Sequence, residues 1–163
     1  MRQTSFAAMH CSLARTLEVV GDWWSPLILR DLFLGLDRFD QLVADLGIAR
    51  NLLADRLDTL VAGGVVARTP YQEQPRRHRY ALTEAGRELA PVLLALTAWG
   101  DKWASTPDGP PLRIRHDACG ATTKPTVCCS ACGDPLTADQ VTAGPGPGIR
   151  TAPGTALLTS VLQ

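Results

Sequence analysis

The chain has 163 residues, of which 45% are hydrophobic, so its composition predicts one folded domain with an appendage and excludes a disordered protein. Lys and Arg together number 16, as do Asp and Glu, and the resulting net charge of zero gives no evidence of a nucleic-acid partner. No apolar run approaches the roughly 18 residues that a membrane helix needs, and no leader-like apolar core follows the first residues, so we expect a cytoplasmic protein.

Four short helices are predicted before the first pair of adjacent glycines. Apolar side chains recur at helical spacing over about 12–20, 22–34, 38–45 and 50–62. Asp22 is expected to cap the second helix, whose predicted buried side chains are Trp24, Leu27, Ile28 and Leu32. A tight turn, Gly47-Ile48-Ala49, joins the third helix to the fourth. Two short helices joined by a turn that contains glycine are typical of a helix-turn-helix motif.

A basic hairpin is predicted directly after the fourth helix. One strand covers about 65–68, a second ends at 80–82, and the polar loop TPYQEQPRRHR lies between them. Residues 68–79 contain four arginines against one glutamate, although the whole chain is neutral. A hairpin in this position is a wing, and its loop would hold the arginines within reach of a DNA backbone or minor groove.

One long helix is predicted to complete the winged region. Thr83 is its expected cap, and Pro91 inside it predicts a kink because proline has no N–H for the helical hydrogen bond. Its apolar face comprises Ala85, Leu89, Val92, Leu93, Leu96, Trp99 and Trp103. The first and last helices thus carry more apolar surface than a small winged core absorbs, which favours pairing of two chains.

DNA contacts are predicted at the start of the fourth helix and on the wing. Arg50 can read guanine and Asn51 can read adenine in the major groove, and the helix N-terminus favours phosphate. The predicted DNA-binding residues are Arg38, Arg50, Asn51, Arg56, Arg76, Arg77, His78 and Arg79. Two alternatives stay open, since Arg56 could pair with an aspartate of its own helix and Asn51 could simply cap it. Asp55 and Asp58 disfavour phosphate, so the base contacts are expected in the first turn.

Two stretches of the winged region resemble a known family. They are CSLARTLEVVGDWWSPLILRDLFLGLDRFDQL and LADRLDTLVAGGVVARTPYQEQPRRHRYALTEAGREL, and together they resemble the HxlR family of winged helix-turn-helix regulators over about residues 10–103. The resemblance implies a transcriptional regulator that binds double-stranded DNA. It also implies homodimers, built on the first and last helices of the winged domain, on a (pseudo)palindromic operator.

The sequence departs from this family at the recognition helix. Ala49-Arg50-Asn51 stands where the family commonly has Ser-Pro-Asn, and Ala54-Asp55 where Ser-Arg is usual, so no relative's operator can be assumed. Cys11 matches a position that senses oxidants or electrophiles in some relatives, and His10 beside it would favour the thiolate. The alternative is that Cys11 is a small residue at a dimer contact.

Four of the five cysteines lie within 14 residues near the C-terminus. His116-x-x-Cys119-Gly and Cys129-x-x-Cys132-Gly are two similar knuckles with the spacing of a zinc ribbon, which predicts one structural zinc ion held by three thiolates and an imidazole. Cys128 is a spare thiol that could replace Cys129 only in a poorer knuckle. The alternative is a zinc-free remnant of a ribbon, held by packing or a disulfide. Four protein ligands would close the shell, which argues against catalytic zinc.

The predicted fold is mainly α with a small β-hairpin wing, a winged helix-turn-helix domain followed by a small zinc-ribbon-like segment. The predicted parts are a DNA-binding and dimerisation domain over 1–104, a linker over 105–112, the cysteine-rich knuckle over 113–136 and a Gly/Pro-rich tail over 137–163. No pattern of catalytic residues is visible. A small-molecule effector, in a pocket lined by Trp23, Trp24, Trp99 and Trp103, is a further hypothesis. The competing hypothesis is a winged-helix interaction module that does not touch DNA.

Overall fold

The computed structural model describes residues 5–104 and 107–162, which form two compact units. The first unit contains the described residues up to Arg87 together with those from Thr142 onwards, and the second extends from Glu88 to Val141. The part boundaries predicted at 104, 112 and 136 stay a prediction. Residues 105 and 106 of the predicted linker lie outside the described residues.

Four helices of the first unit build the helix-turn-helix, as predicted. They are α1 (Ser12–Val20), α2 (Ser25–Phe33), α3 (Phe39–Leu46) and α4 (Arg50–Ala62). The fully buried apolar side chains among them are Ile28, Leu29, Leu42, Leu53, Leu57 and Leu60. Ile48, in the turn between α3 and α4, is only 3% exposed and anchors that turn in the same core.

The buried face of α2 differs from the predicted one. Leu27 is 37% exposed, whereas Leu29 is 1% exposed. The buried positions of α2 include Ser25, Ile28, Leu29 and Leu32, which recur at helical spacings of three and four. Ser25 belongs to this face because its hydroxyl donates to Asp22, which also accepts the backbone N–H groups of Trp24 and Ser25. Asp22 therefore satisfies the start of α2 from the preceding turn.

A buried ion pair connects α2 to α3. Arg30 Nη2 lies 2.6 Å from Asp31 Oδ1 and 3.1 Å from Asp45 Oδ2. Asp31 is 1% exposed, and burial raises its pKa against the opposing effect of Arg30. Arg30 thus links two acidic side chains, one of which is removed from water.

The wing is longer than its sequence suggested. Strands β1 (Val66–Glu73) and β2 (Arg76–Leu82) pair antiparallel from Val66↔Leu82 to Glu73↔Arg76, with an irregularity between Pro70 and Gln72. The expected loop is therefore mostly strand, and only Gln74 and Pro75 form the connection. Proline is tolerated here because each strand of a two-stranded sheet has an outer edge that needs no ladder hydrogen bond.

The predicted long helix is two helices, α5 (Glu84–Glu88) and α6 (Ala90–Trp103). Thr83 caps the first of them as predicted, since its Oγ1 accepts the Gly86 N–H at 3.2 Å. The expected kink is a break at Leu89, because Pro91 cannot donate to the carbonyl four residues earlier and its ring crowds that carbonyl. Pro91 lies instead in the first turn of α6, where no donor is needed.

Short elements complete both units. In the second unit, β3 (Ile114–Arg115) and β4 (Thr122–Thr123) form a small hairpin after α6. In the first unit, the predicted irregular tail contains the short helix α7 (Leu158–Val161), and Thr155 in the same segment is buried. Among the described residues, no helix combines the length and the apolar composition needed to cross a bilayer.

Candidate nucleic-acid interface

A groove of about 350 Å³ opens between the start of α3, the start of α4 and the wing, all within the first unit. We call it the basic groove. Its polar lining residues are Arg38, Asp40, Arg50, Arg76, Arg77 and His78, and its aromatic ones are Phe39, Tyr71 and Tyr80. Five of the eight predicted DNA-binding residues therefore line one concave surface, where four arginines face a single aspartate.

The Arg50 side chain contacts two residues in the first turn of α3. Its Nη1 lies 2.8 Å from Asp40 Oδ1, and its guanidinium carbon lies 5.0 Å from the centre of the Phe39 ring. The Arg50 side chain is nevertheless 65% exposed. The ion pair and the ring thus restrict the side chain without burying it, which leaves donors available to an incoming acceptor.

Asn51 lies outside the basic groove, on the exposed surface of the first turn of α4. The helix begins after Ala49, so Asn51 is inside the helix and does not cap it. Because an alanine side chain has no acceptor to offer, the backbone N–H groups of this turn remain available to an anion. Asn51 and these N–H groups therefore present donors on the same end of α4.

Arg38 and Arg79 both contact the ring of Tyr71 in the first strand of the wing. Their guanidinium carbons are 5.5 and 5.6 Å from the centre of the Tyr71 ring. Arg79 Nη1 also lies 3.3 Å from Asp37 Oδ2, and the backbones of Arg38 and Arg79 form a β-bridge. These contacts connect the entry of α3 to β2 and fix where the wing begins.

Arg76 and Arg77 are the least restrained cations of the wing. Both are exposed at the start of β2, opposite Glu73 and Gln72, and His78 behind them is half-buried. Within the described part of the chain, neither arginine has an ion-pair partner. Two unpaired guanidinium groups at the tip of a hairpin are suited to bind phosphates. A phosphate contact depends on a nearby positive charge more than on a precise orientation of the donor.

Arg56 is placed away from the groove. Its Nε lies 3.4 Å from Asp22 Oδ1, the Arg56 side chain is 29% exposed and that of Asp22 is 12% exposed. The pairing partner is thus the carboxylate at the start of α2, not an aspartate of its own helix. This position suits a bond within the domain better than a contact with DNA.

One of the two aspartates of α4 is neutralised. Asp58 Oδ1 accepts from Arg68 Nη1 at 2.7 Å, so the first wing strand supplies a counter-charge to the recognition helix. Burial raises the pKa of the nearby Tyr80, and Arg68 acts in the opposite direction. Asp55 is exposed and, in the described ranges, has no ion-pair partner. The repulsion expected from this helix is therefore smaller than the sequence alone suggested.

Cys11 lies beneath the C-terminal segment of the first unit. It precedes α1 and is partly exposed, in a cavity of about 410 Å³ that Arg15 and Gly146 also line. The backbone N–H of His10 donates to the Pro153 carbonyl at 2.7 Å, and His10 Nε2 lies 2.5 Å from the Gly148 carbonyl. His10 is therefore engaged with the C-terminal segment and not with the Cys11 thiol.

The cysteine-rich part of the second unit forms two separate local pairs. Cys119 Sγ lies 3.4 Å from His116 Nδ1. The backbone N–H groups of Cys132 and Ala131, followed by the Cys132 side chain, hydrogen-bond to Cys129 and lower the pKa of its thiol. In residues 5–104 and 107–162, no three histidine, cysteine or acidic side chains form one metal-binding group. The predicted zinc site stays a prediction.

A further cavity, of about 480 Å³, belongs to the second unit. It lies between α6 and the β3–β4 hairpin, and its charged lining residues are Asp101, Lys102, Asp108, Arg113 and Lys124. None of its lining residues is a tryptophan. Trp99 and Trp103 of α6 are 60% and 66% exposed, and Trp23 of the first unit is 91% exposed. The hypothesis of an effector pocket lined by tryptophans thus gains no support from this cavity.

Sequence reasoning missed the aromatic and acidic residues that hold the arginines in place. Tyr71, Phe39 and Asp40 contact three of the predicted cations, and none of the three is among the predicted DNA-binding residues. A usable signal exists in residues 68–79, where Tyr71 stands among four arginines, because an aromatic residue is a common partner for guanidinium groups. The contact between Phe39 and Arg50 crosses the helix-turn-helix turn and has no such local signal.

Comparison with known proteins agrees with this fold. A family model described as HxlR-like helix-turn-helix matches residues 19–108. An uncharacterized HTH-type transcriptional regulator of Mycobacterium tuberculosis is 47% identical over 139 residues, which cover 85% of this chain and 88% of the relative. A match of that length in a chain of 163 residues extends through the cysteine-rich segment. A further HTH-type regulator, from Synechocystis, is 38% identical over 57% of this chain and 70% of its own length.

Solved structures show the same architecture. The crystal structure of PA1607, described as a candidate transcription factor, is 38% identical with a TM-score of 0.75 and covers 86% of this chain and 99% of that one. The redox regulator HypR in its oxidized form is 31% identical with a TM-score of 0.54, over 59% of this chain and all of that one. These similarities confirm the winged helix-turn-helix prediction for the first part of the chain.

Proposed function

The chain belongs to the HxlR-like helix-turn-helix family of DNA-binding transcriptional regulators, and from this premise we propose that it binds its operator through the basic groove and the start of α4. The observation that carries this assignment is the convergence of Arg38, Arg50, Arg76, Arg77 and His78 on one concave surface. A groove with four arginines and one aspartate concentrates positive potential that the neutral whole chain lacks.

The two sides of the groove have different tasks in this proposal. The start of α4 enters the major groove, where Asn51 and Arg50 reach base edges. For Arg50, a base or phosphate acceptor replaces Asp40, so the free protein keeps the guanidinium close to its binding position. Arg76 and Arg77 at the tip of the wing contact phosphates or the minor groove. The α4 side thus supplies sequence readout, and the wing supplies affinity.

The functional form in this proposal is a homodimer. The exposed apolar side chains of α1 are Leu13 and Leu17, and those of α6 are Val92, Leu96, Trp99 and Trp103. Each unit therefore presents an apolar helix face to solvent in the single chain, and a second copy is the partner that would cover it. Two recognition helices related by a two-fold axis would read half-sites about 34–36 Å apart on a (pseudo)palindromic operator.

The test is binding of the purified protein to DNA from its own upstream region, measured by fluorescence anisotropy at several salt concentrations. Arg77→Ala should reduce the slope of log affinity against log salt by about one for each phosphate that the variant no longer neutralises. Arg50→Ala should weaken the specific site more than random DNA. Arg115→Ala, outside the groove, is the control and should bind like the unmodified protein. Unchanged binding by both groove variants would move the interface elsewhere, and no salt-dependent binding at all would favour the interaction-module hypothesis.

A second candidate property is a response to thiol-reactive compounds at Cys11. It is supported by the partial exposure of this thiol in the cavity under the C-terminal segment and by the likeness to a redox regulator. N-ethylmaleimide, which adds to a thiolate without any oxidant, should lower the DNA affinity of the unmodified protein but not that of Cys11→Ser. An equal decrease in both would assign the effect to another cysteine. A small-molecule effector stays a prediction.

A further inference from the structure

We propose that the second unit binds one structural Zn²⁺ ion through His116, Cys119, Cys129 and Cys132, independently of DNA binding. The four side chains form two pairs, each on one tight turn, and the two ligand atoms of the first pair have the separation of two ligands on one tetrahedral ion. The geometry of the pairs, the small core around them and the direction of the remaining thiol each support this assignment.

The first pair has the spacing of two ligands on one ion. A tetrahedral Zn²⁺ with nitrogen at about 2.0–2.1 Å and sulfur at about 2.3 Å keeps those two atoms about 3.6 Å apart. His116 Nδ1 and Cys119 Sγ are 3.4 Å apart. The turn is closed by the Gly120 N–H, which donates to the His116 carbonyl at 2.7 Å, and Gly120 has a φ of 72° that other residues rarely adopt.

The second pair repeats this turn. The Gly133 N–H donates to the Cys129 carbonyl at 2.8 Å, and Gly133 has a φ of 81°. Both turns therefore close with the same hydrogen bond, from the glycine N–H to the carbonyl of the first ligand, and both need a glycine in the left-handed region of backbone space.

The surrounding segment has little else to hold it together. His116, Cys119 and Cys132 are exposed, and the apolar Val127 and Leu136 are 58% and 46% exposed. The strands β3 and β4 are two residues each, and the second pair rests on the contact of Cys128 with Pro135. A segment with so small a core takes its folding free energy from a metal ion, which here would draw the two pairs into one shell.

Cys128 is excluded from the shell by the direction of its side chain. Consecutive side chains of an extended segment point to opposite faces, and Cys128 Sγ is directed at the Thr126 carbonyl, 3.8 Å away, on the face opposite to Cys129. Cys128 is therefore a matched control, since it is adjacent to a proposed ligand and chemically identical to it.

The experiment is metal analysis of the full chain, purified without chelator after growth with added zinc. We expect about one zinc ion per chain in the unmodified protein and in Cys128→Ser, and less than about a tenth as much in Cys129→Ser and His116→Ala. His116→Cys should keep the metal, because four thiolates also form a tetrahedral zinc site. A protein that binds no zinc even after reduction and addition of Zn²⁺ would overturn the proposal, as would an equal decrease of zinc in Cys128→Ser and Cys129→Ser.

Replacement of zinc by Co²⁺ gives a second readout that does not depend on expression level. Four-coordinate cobalt with thiolate ligands has intense visible bands and a sulfur-to-metal charge-transfer band, and His116→Cys should shift both. The pale spectrum of octahedral cobalt would overturn the proposal. DNA binding is measured on the same samples, and its retention after removal of the metal would show that the two proposals stand separately.

Discussion

The arginine side chains of the first unit differ in whether a carboxylate of the same domain pairs with them. Arg30, Arg56 and Arg68 pair with buried or nearby carboxylates, whereas Arg76 and Arg77 have no ion-pair partner among the described residues. The first group stabilises contacts between elements, and the second remains available to a ligand. The sequence alone does not distinguish these two groups, because the partners of Arg56 and Arg68 are distant in sequence.

Arg56 gives the sharpest test of this distinction. Arg56→Ala leaves Asp22 partly buried beside an empty site, so we expect the free energy of unfolding to fall by about 1–3 kcal/mol. The salt dependence of DNA binding should stay the same, because the variant neutralises the same phosphates as the unmodified protein. Urea denaturation followed by tryptophan fluorescence gives the first quantity, and anisotropy titrations give the second.

Arg115→Ala is the control for Arg56→Ala. Arg115 forms an exposed pair with Asp117, so its removal should change the free energy of unfolding by less than about 1 kcal/mol. If Arg56→Ala instead reduces the salt slope as much as Arg77→Ala does, the residue belongs to the DNA interface and its pairing with Asp22 is secondary.

Secondary-structure elements were predicted best where a single local signal decided them. The bounds of α1 and α4 agree with the apolar spacing and the glycines that follow, whereas the wing and the last helix depended on prolines. Pro70 and Pro75 suggested a loop, but a two-stranded hairpin accommodates proline on its outer edges. Pro91 suggested a kink, and the structure has two helices. Proline indicates that a hydrogen bond is missing without indicating how the chain responds.

The packing of α5 on the wing is a contact that no local signal predicts. A Cβ atom at Gly86 would overlap the Val65 backbone oxygen, and Thr83 Oγ1 donates to the Gly64 carbonyl at 2.7 Å. Thr83 therefore caps α5, and Gly86 lets the backbone before β1 approach the helix closely. The requirement for glycine is steric at this position.

Gly86→Ala separates the steric requirement from helix propensity. Propensity alone predicts that alanine stabilises a helix by about 1 kcal/mol relative to glycine. The clash with Val65 predicts the opposite sign, a decrease of about 2–4 kcal/mol in the free energy of unfolding, because backbone cannot move aside as a side chain does. Ala85→Gly, at another position of the same helix, should cost only about 1 kcal/mol. Thermal and urea denaturation of the three proteins decide the sign, and a stabilised Gly86→Ala protein would refute the close packing.

At the scale of the whole molecule, a neutral chain and a basic groove are compatible, because four arginines line the groove and Asp40 is its one acidic lining residue. The sequence alone could identify the winged region and its basic stretch. It could not predict that residues near 150 return to the N-terminus, where the Pro153 carbonyl accepts the His10 N–H. A contact between residues so far apart depends on the path of the entire chain, and the Gly- and Pro-rich composition suggested only irregular structure.

The oligomeric state of the whole molecule can be tested by substitutions on the exposed face of α6. Leu96 and Trp99 are 58% and 60% exposed in the single chain, and large apolar side chains that are exposed one helical turn apart favour an interface. Removing these side chains from water on each copy would contribute to association, whereas a charge in their place must be desolvated without a partner. We therefore expect sedimentation or light scattering to give twice the 17.5 kDa chain mass for the unmodified protein and the single-chain mass for Leu96→Glu with Trp99→Glu. Val141→Glu, at a half-exposed apolar position outside α6, should leave the mass unchanged.

The dissociated variant should still bind a single half-site, because the basic groove lies wholly within one chain, but should lack the extra affinity for two correctly spaced half-sites. A dimer that survives both charges would show that α6 is not part of the interface.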